Sequence, residues 1–305
     1  MQFEYIGTVL AYMKGVLLNF GISPMDIVHH KNGFRYVDSG SGPAVLFLHG
    51  LAENVSIWAE FVEHFSLEYR VIAVDLYGHT PKNQYHFDAS KQLKDYATEV
   101  LDLLKEIGVE EVAVVGHSMG GYIALEMLKL QPNYLTGISL FHSQPFADTD
   151  ETRSNRMKVI QDLLNGKKAD VIEALFQKVL PLEHQAKHPI CSSKLYAMMN
   201  QVDSKGLATT ISAIAQREDT TEVLVTSTIP VQFILGGIDS FIPVQRMLDL
   251  IPAITNCSVT FLKDVGHVGM LEEANQCIAA LNSFFTLAYP EVVDKCTDVF
   301  AFPSF

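Results

Sequence analysis

The stretch VVGHSMGGYIALEMLK, at Val114–Lys129, constrains the possible fold more than any other part of the chain. It begins as an apolar run typical of a buried strand, turns at glycines, and continues with the spacing of a helix. Ser118 stands at the turn, with Gly116 and Gly120 two residues away on either side. A turn this tight strains the serine backbone and leaves no room for neighbouring side chains. We therefore expect the Ser118 hydroxyl to project from the end of a strand.

The rest of the chain alternates between short apolar runs and helical patterns. Six runs read as strands: Ala44–Gly50, Arg70–Leu76, Val112–Ser118, Gly137–Ser143, Val231–Gly237 and Ser258–Asp264. Continuous apolar runs of this length suit parallel strands that are covered on both faces. The segment LKDYATEVLDLLKEIG, which begins at Leu93, has the period of an amphipathic helix. The pattern predicts an α/β fold with a mostly parallel central sheet flanked by helices.

One connection is far longer than the others. Roughly 85 residues separate the strand ending near His142 from the one beginning near Val231, whereas ordinary loops have about 4 to 6 residues. This part of the chain reads as helical. We therefore predict a core built from residues 26–143 and 229–286, with residues 144–228 inserted as a helical cap.

The two ends of the chain receive separate predictions. Residues 1–25 are apolar, but Glu4 and Lys14 fit neither a secretory signal nor a membrane span. A short packed or amphipathic segment is the favoured interpretation, and a peripheral membrane contact is the alternative. Residues 287–305 form a C-terminal tail without an assigned role.

Composition excludes several classes of partner and cofactor. A formal net charge of −13 without a basic cluster disfavours nucleic-acid binding. No sequence pattern of a metal or dinucleotide site adjoins a suitable element, so we expect no metal and no cofactor. The four cysteines lack paired spacing, which predicts free thiols in a reducing, cytoplasmic compartment. They are Cys191, Cys257, Cys277 and Cys296.

The G-x-S-x-G turn between a strand and a helix resembles the nucleophile elbow of the α/β-hydrolase family, in the branch with a helical cap after the sixth strand. The resemblance extends from about Val28 to Phe285. It implies Ser118 as nucleophile, followed in the chain by an acid and a histidine on later strand-end loops. ILGGIDSFIP supplies Asp239 and LKDVGHVGMLE supplies His267. Asp148, after the sixth strand, is the competing acid.

The same resemblance implies an oxyanion hole made of backbone N–H groups. One donor is expected from Met119, which follows the nucleophile. The second is expected after the pair His49–Gly50, which makes Leu51 the favoured donor and Ala52 the alternative. His117, inside the elbow, is expected to have a packing role.

Further residues are candidates for the walls of a substrate pocket, although methionine and aromatic residues at helical spacing more often belong to a plain core. The candidates are His49, Gly50, Trp58, His142, Met157, Phe176 and Met198.

A serine nucleophile predicts an acyl-enzyme, whereas epoxide-opening and dehalogenating relatives use aspartate at the elbow. We therefore expect a serine hydrolase acting on a small to medium carboxylic ester, with a small-molecule acyl substrate as the partner. Acyl transfer, peptidase, perhydrolase or carbon–carbon bond hydrolysis are variants on the same triad. A small-molecule receptor or signalling protein on the same fold is the alternative of a different class.

Overall fold

The computed structural model describes residues 28–31, 34–80 and 85–291. Within these ranges, eight strands form one sheet in the order β1-β2-β4-β3-β5-β6-β7-β8. The strands are β1 (Val28–Lys31), β2 (Phe34–Ser39), β3 (Ala44–Leu48), β4 (Arg70–Val74), β5 (Val112–His117), β6 (Leu135–Phe141), β7 (Val231–Gly236) and β8 (Cys257–Leu262). Each of the six strands expected from the apolar runs is present.

The sheet is parallel from β4 to β8 and antiparallel at its other edge. Neighbours from β4 to β8 pair in parallel, with Leu46 opposite Ile72 and also opposite Val114. β1 and β2 pair with each other, and β2 pairs with β4, in the antiparallel sense. β2 is mostly half-buried, and both strands are rich in polar residues, so they lack the apolar runs that predicted the other six.

Twelve α-helices surround the sheet in the described residues. They are α1 (Ala59–Phe65), α2 (Leu93–Glu106), α3 (Met119–Leu130), α4 (Asp150–Leu164), α5 (Lys168–Val179), α6 (Leu182–Lys187), α7 (Pro189–Met199), α8 (Ser204–Ala215), α9 (Thr221–Val225), α10 (Val244–Leu250), α11 (Gly269–Glu272) and α12 (Ala274–Ala288). Single-turn 3₁₀ helices lie at Val55–Trp58, Pro132–Tyr134 and Ile251–Ala253.

Alternate residues of β3 enter two separate apolar cores, one on each face of the sheet. Phe47 packs with aromatic residues of α1 and α12, including Phe61 and Phe285. Leu46 belongs to the opposite core with residues of α2 and α3, such as Ile123. Because side chains alternate along a strand, a run of five buried residues requires cover on both faces. The predicted fold class is confirmed.

Helices α4 to α9 occupy the connection between β6 and β7 and fall within the predicted cap range 144–228. The start of α8 contacts the loop after β4, where the backbone of Gly206 packs directly on that of Gly78. The hydroxyl groups of Thr210 on α8 and Tyr96 on α2 are 2.9 Å apart and share a hydrogen bond. These buried contacts fix α8 against the core.

The phenol of Tyr289, just after α12, joins the beginnings of two central strands. Its hydroxyl donates to the carbonyl of Ala44 and accepts from the N–H of Ala113 at 2.8 Å. Both contacts are buried. Tyr289 therefore ties β3 and β5 together at the end of the sheet opposite to the nucleophile.

The predictions for residues 1–25 lie outside the described residues, as does the tail from residue 292 onward with Cys296. Cys191, Cys257 and Cys277 are free thiols. None of the helices in the described ranges is long and apolar enough to cross a membrane.

Candidate active site

Ser118 lies between β5 and α3 in a backbone conformation that non-glycine residues rarely adopt, with φ 50° and ψ −114°. A Cβ added at Gly116 would lie 2.4 Å from the carbonyl oxygen of Gly120, and one added at Gly120 would lie 2.4 Å from that of Leu48. Only glycine fits at either position. This close packing turns the Ser118 hydroxyl toward the partly exposed end of the sheet.

The three residues expected to form a triad are joined by two hydrogen bonds. Nε2 of His267 is 2.9 Å from Oγ of Ser118, and Nδ1 of His267 is 2.8 Å from Oδ2 of Asp239. The other carboxylate oxygen of Asp239 accepts from the N–H groups of Phe241 and Ile242. The acid therefore has a fixed orientation, and it presents one oxygen to the histidine.

The surroundings of Asp239 favour its ionised form. Burial alone would raise its pKa, but His267 and His142 hold the pKa well below its usual range. Nδ1 of His142 lies 3.4 Å from Oδ2 of Asp239, and burial lowers the pKa of His142. The carboxylate is thus a permanent negative charge beside His267.

Asp148, the competing acid, lies in a different ion-pair cluster. Its carboxylate is 2.6 Å from Nε of Arg156 and 2.7 Å from Nη1 of Arg217. These two guanidinium groups occupy both carboxylate oxygens, while His267 is already bonded to Asp239. The structure therefore places Asp239, and not Asp148, beside the histidine.

Hydrogen bonds in the loop after β3 leave one N–H group for an oxyanion. The N–H of Gly50 donates to Oε2 of Glu53 at 2.7 Å. The N–H of Ala52 donates to Nε2 of His79 at 3.0 Å. Leu51, which lies between them, is thereby favoured over Ala52 as the donor that would act together with Met119.

Two buried, neutral histidines hold this loop. Nδ1–H of His49 donates to the carbonyl of Gly50, and its Nε2 accepts from the N–H of Leu76. His79 is bonded in the same way between the carbonyl of Tyr77 and Ala52. Burial lowers the pKa of His49 to about 4 and that of His79 to about 3. His49 and Gly50 therefore fix the shape of the loop after β3, and a role for them as pocket walls stays a prediction.

A buried ion pair lies beneath the elbow. Nδ1 of His117 is 2.9 Å from Oε2 of Glu53, and its Nε2 donates to the carbonyl oxygen of His267 at 2.8 Å. Burial disfavours both charges, but their mutual attraction holds the pKa of Glu53 below and that of His117 above the usual value. His117 thus connects the loop after β3 to the loop that carries His267.

The sequence profile described as the alpha/beta hydrolase fold matches residues 43–274, which contain every site residue described above. The chain belongs to the α/β-hydrolase family. A curated relative from Oryza sativa subsp. japonica, which is named as a probable esterase, is 30% identical over 142 residues. That match covers 42% of this chain and 52% of the relative, so the chain spans about half the length of that protein.

Two further comparisons cover more of this α/β-hydrolase chain. A protein named "Pimeloyl-[acyl-carrier protein] methyl ester esterase", from Aliivibrio salmonicida, is 24% identical over 249 residues, which is 80% of this chain and 93% of that one. A solved structure of a thermophilic esterase from Thermogutta terrifontis superposes with a TM-score of 0.79 at 22% identity, covering 86% of this chain and 97% of that one. The structural likeness establishes a shared fold.

Several expected pocket residues of this α/β hydrolase lie elsewhere. Trp58 is completely buried among aromatic residues of the core, in contact with Phe47 and Phe141. His142 is completely buried behind Asp239. Phe176 packs on Tyr196 inside the cap. All three side chains are buried and expose almost no surface to a pocket.

The other two pocket candidates lie on the cap. Met157 is half-exposed on α4 and has no described contact with the triad. Met198, on α7, lines a cavity of about 310 Å³ whose described walls also include Asn54, Leu195 and Met270. Ser118, Asp239 and His267 are not among those walls, so the cavity does not include the three residues expected to form the triad.

Sequence reasoning missed three residues at this site. Glu53 and Glu272 are buried carboxylates: Glu53 accepts from the N–H of Gly50, and Glu272 accepts from the N–H groups on either side of His267. The ring of Phe241 lies 4.6 Å from that of His267 and is partly exposed. The one signal in the sequence was position, because each residue lies within five positions of a predicted site residue. Among the described residues, no group of three or more potential ligands is placed to hold a metal ion.

Proposed function

We propose that this protein is a serine hydrolase that cleaves a small to medium carboxylic ester through an acyl-enzyme. The observation that carries the proposal is the chain of hydrogen bonds from Ser118 through His267 to Asp239, at 2.9 and 2.8 Å. A serine hydroxyl is protonated at neutral pH and becomes a nucleophile only beside a positioned base. The names of the rice and Aliivibrio relatives, both esterases, support the same reaction class.

In the proposed reaction, Oγ of Ser118 attacks the ester carbonyl carbon while Nε2 of His267 accepts the hydroxyl proton. The N–H groups of Met119 and Leu51 stabilise the oxyanion, with help from the positive end of α3. His267 then gives its proton to the leaving alcohol as the ester C–O bond breaks. Water attacks the acyl-enzyme by the same route, which releases the carboxylic acid and restores Ser118.

Asp239 orients the base during both steps. Its carboxylate keeps the proton of His267 on Nδ1, so that Nε2 is free to accept the serine proton, and it stabilises the imidazolium that forms. The partly exposed side chains of Leu51 and Phe241 would offer an apolar surface to the acyl group. This favours an uncharged acyl chain.

The wider proposal is a small-molecule substrate in the cytoplasm, without a nucleic-acid partner. The net charge of −13 opposes binding to a phosphate backbone. The free thiols Cys191, Cys257 and Cys277 suit a reducing compartment. Fractionation of the native host cell would test the location, and recovery with the membrane or secreted fraction would contradict it.

The test is hydrolysis of p-nitrophenyl esters of increasing acyl length, together with labelling by a fluorophosphonate. Ser118→Ala should abolish labelling and lower kcat by about 10⁴-fold or more. Ser283→Ala, at an exposed serine on α12, is the matched control and should retain full activity. Turnover that survives Ser118→Ala would refute the mechanism. A wild-type protein that is labelled but does not release acid would indicate acyl transfer to an acceptor other than water.

A further inference from the structure

A buried pair of ionisable side chains joins the cap to the loop that carries His267. Nδ1 of His184, on α6 of the cap, lies 2.5 Å from Oε2 of Glu272, on α11 of the core. The two side chains are 7% and 2% exposed. Because the residues are 88 positions apart in the chain, this bond is a long-range contact that depends on how the cap packs on the core.

The same carboxylate holds the backbone on both sides of His267. Oxygens of Glu272 accept hydrogen bonds from the N–H of Gly266 at 3.0 Å and from the N–H of Val268 at 3.2 Å. Buried N–H groups in a loop need acceptors, since leaving one unpaired is costly. Glu272 therefore supplies the hydrogen-bond acceptors that neither a helix nor a strand provides at this point. It fixes the peptide groups that flank His267.

The opposite side of the loop is held by the core. Nε2 of His117 donates to the carbonyl oxygen of His267 at 2.8 Å. The backbone at His267 is thus held by one contact from the elbow and by one carboxylate from α11. His184 holds the same carboxylate from the cap side, through a contact of 2.5 Å with Oε2, and so limits the positions that the carboxylate can take.

A second bond between the cap and a catalytic loop is weaker. Oγ of Ser240, next to Asp239, donates to the carbonyl of Lys178 at 3.0 Å, but this contact is exposed to solvent. Exposed hydrogen bonds compete with water and contribute little net stability. The buried bond between His184 and Glu272 is the stronger route from the cap to the site.

We propose that Glu272 and His184 are positioning residues for His267, and that the cap sets the geometry of the catalytic base through them. The inference rests on the proposed function, which makes His267 the base. A misplacement of about 1 Å can reduce an enzymatic rate by about 10²-fold. Because neither side chain contacts the reacting atoms, the effect falls on kcat and not on KM.

Variants at both positions test the proposal against an ester substrate. Glu272→Met removes the acceptors at nearly constant length and should lower kcat by about 100-fold with KM within about three-fold. Glu272→Gln keeps one oxygen acceptor and should recover most of that loss. Glu273→Gln, at the exposed neighbour, is the control and should leave kcat unchanged.

The cap residue has its own pair of variants. His184→Leu should lower kcat by about 10-fold, and His184→Gln, which retains a donor, should restore it. The double variant of His184→Leu and Glu272→Met should be no slower than Glu272→Met alone, because residues that act as one unit are not additive. A fall in melting temperature with unchanged kcat in the single variants would overturn the proposal and leave the pair a merely structural role.

Hydrogen exchange at the amides of Gly266 and Val268 separates this inference from the proposed function. His184→Leu should accelerate exchange at both amides by about 10-fold or more, whereas Lys187→Leu, at an exposed residue of the same helix, should not. If the wild type neither turns over esters nor reacts at Ser118, the proposed function fails, but the exchange result still decides whether the cap controls the loop. Unchanged exchange in His184→Leu would overturn the link.

Discussion

The nucleophile elbow and the turn between α4 and α5, which lies in the segment inserted between β6 and β7, differ in how closely their backbones are packed. A Cβ at Gly116, before the nucleophile, would lie 2.4 Å from backbone atoms, whereas a Cβ at Gly166, between α4 and α5, would meet nothing within 4 Å. Few sequences satisfy the first environment and many satisfy the second. A motif is therefore informative about the elbow, while the turn between α4 and α5 can vary without leaving a signature.

Substitutions of the two candidate acids, Asp239 on a strand-end loop and Asp148 at the start of the inserted segment, should differ most in their effect on kcat. Asp239→Asn should lower kcat by about 10⁴-fold, because an amide no longer holds the required tautomer of His267. Asp148→Asn should leave kcat within a few-fold and lower the melting temperature, since Arg156 and Arg217 lose their partner. Steady-state kinetics and thermal melts on both variants decide which carboxylate orients His267. The reverse pattern would place the catalytic acid at the start of the cap.

Replacing Gly116 and Gly166 by alanine, one at a time, compares the packing of the two regions directly. Gly116→Ala should lower the free energy of unfolding by at least about 3 kcal/mol, because the new methyl meets rigid backbone. Gly166→Ala should cost only about 1–2 kcal/mol, which is the strain of alanine at φ +83° in open space. Urea unfolding measures both values. Equal losses would show that the elbow can relax and that its packing is less strict than described.

Acidification should act on the core loops through their neutral histidines. Burial lowers the pKa of His49 to about 4 and that of His79 to about 3, while an unfolded histidine titrates near 6.5. Below about pH 6.5 the unfolded state therefore binds more protons than the folded state. The free energy of unfolding should fall with decreasing pH, by about 1.4 kcal/mol per pH unit for each histidine, until the folded-state pKa is reached.

Urea titrations between about pH 7 and about pH 5 check this slope. His79→Gln can still accept a hydrogen bond from the N–H of Ala52. It should reduce by about one the number of protons taken up on unfolding, so its free energy of unfolding should depend less steeply on pH than that of the wild type. An unchanged slope in this variant would mean that His79 is already protonated in the folded protein.

The smallest expected effects concern the substrate surface. Phe241→Ala should raise KM for longer acyl chains by about 10-fold, because the ring lies 4.6 Å from that of His267 at a partly exposed position. Met157→Ala, on α4, should change KM by less than about two-fold. Kinetics with esters of increasing acyl length provide the measurement. A larger effect at Met157 would indicate that α4 lies over Ser118 and His267 during turnover.

Much of the core could be predicted from sequence because its signals are local. The predicted strands β3, β5 and β7 are buried throughout, whereas the edge strand β8 is mostly half-buried or exposed. Ser118, Asp239 and His267 follow the ends of β5, β7 and β8. β1 and β2 were missed because polar residues interrupt their apolar pattern.

The pocket could not be predicted because it depends on which helix faces which loop. Trp58 and Met157 both carry apolar side chains, yet one is completely buried and the other half-exposed. Nothing in the local sequence of Glu272 shows that a histidine 88 residues away completes its environment. Long-range pairs of this kind depend on topology, which periodicity and motifs do not encode.

The bridge made by Tyr289 has a consequence for biosynthesis. Its hydroxyl completes backbone hydrogen bonds of Ala44 and Ala113, which are 245 and 176 residues earlier in the chain. Both central strands therefore leave the ribosome long before Tyr289, which joins them, is synthesised. The nascent chain must carry an unfinished sheet through most of its synthesis, during which exposed strands are open to aggregation. Protection by chaperones until Tyr289 emerges would be most valuable at this stage.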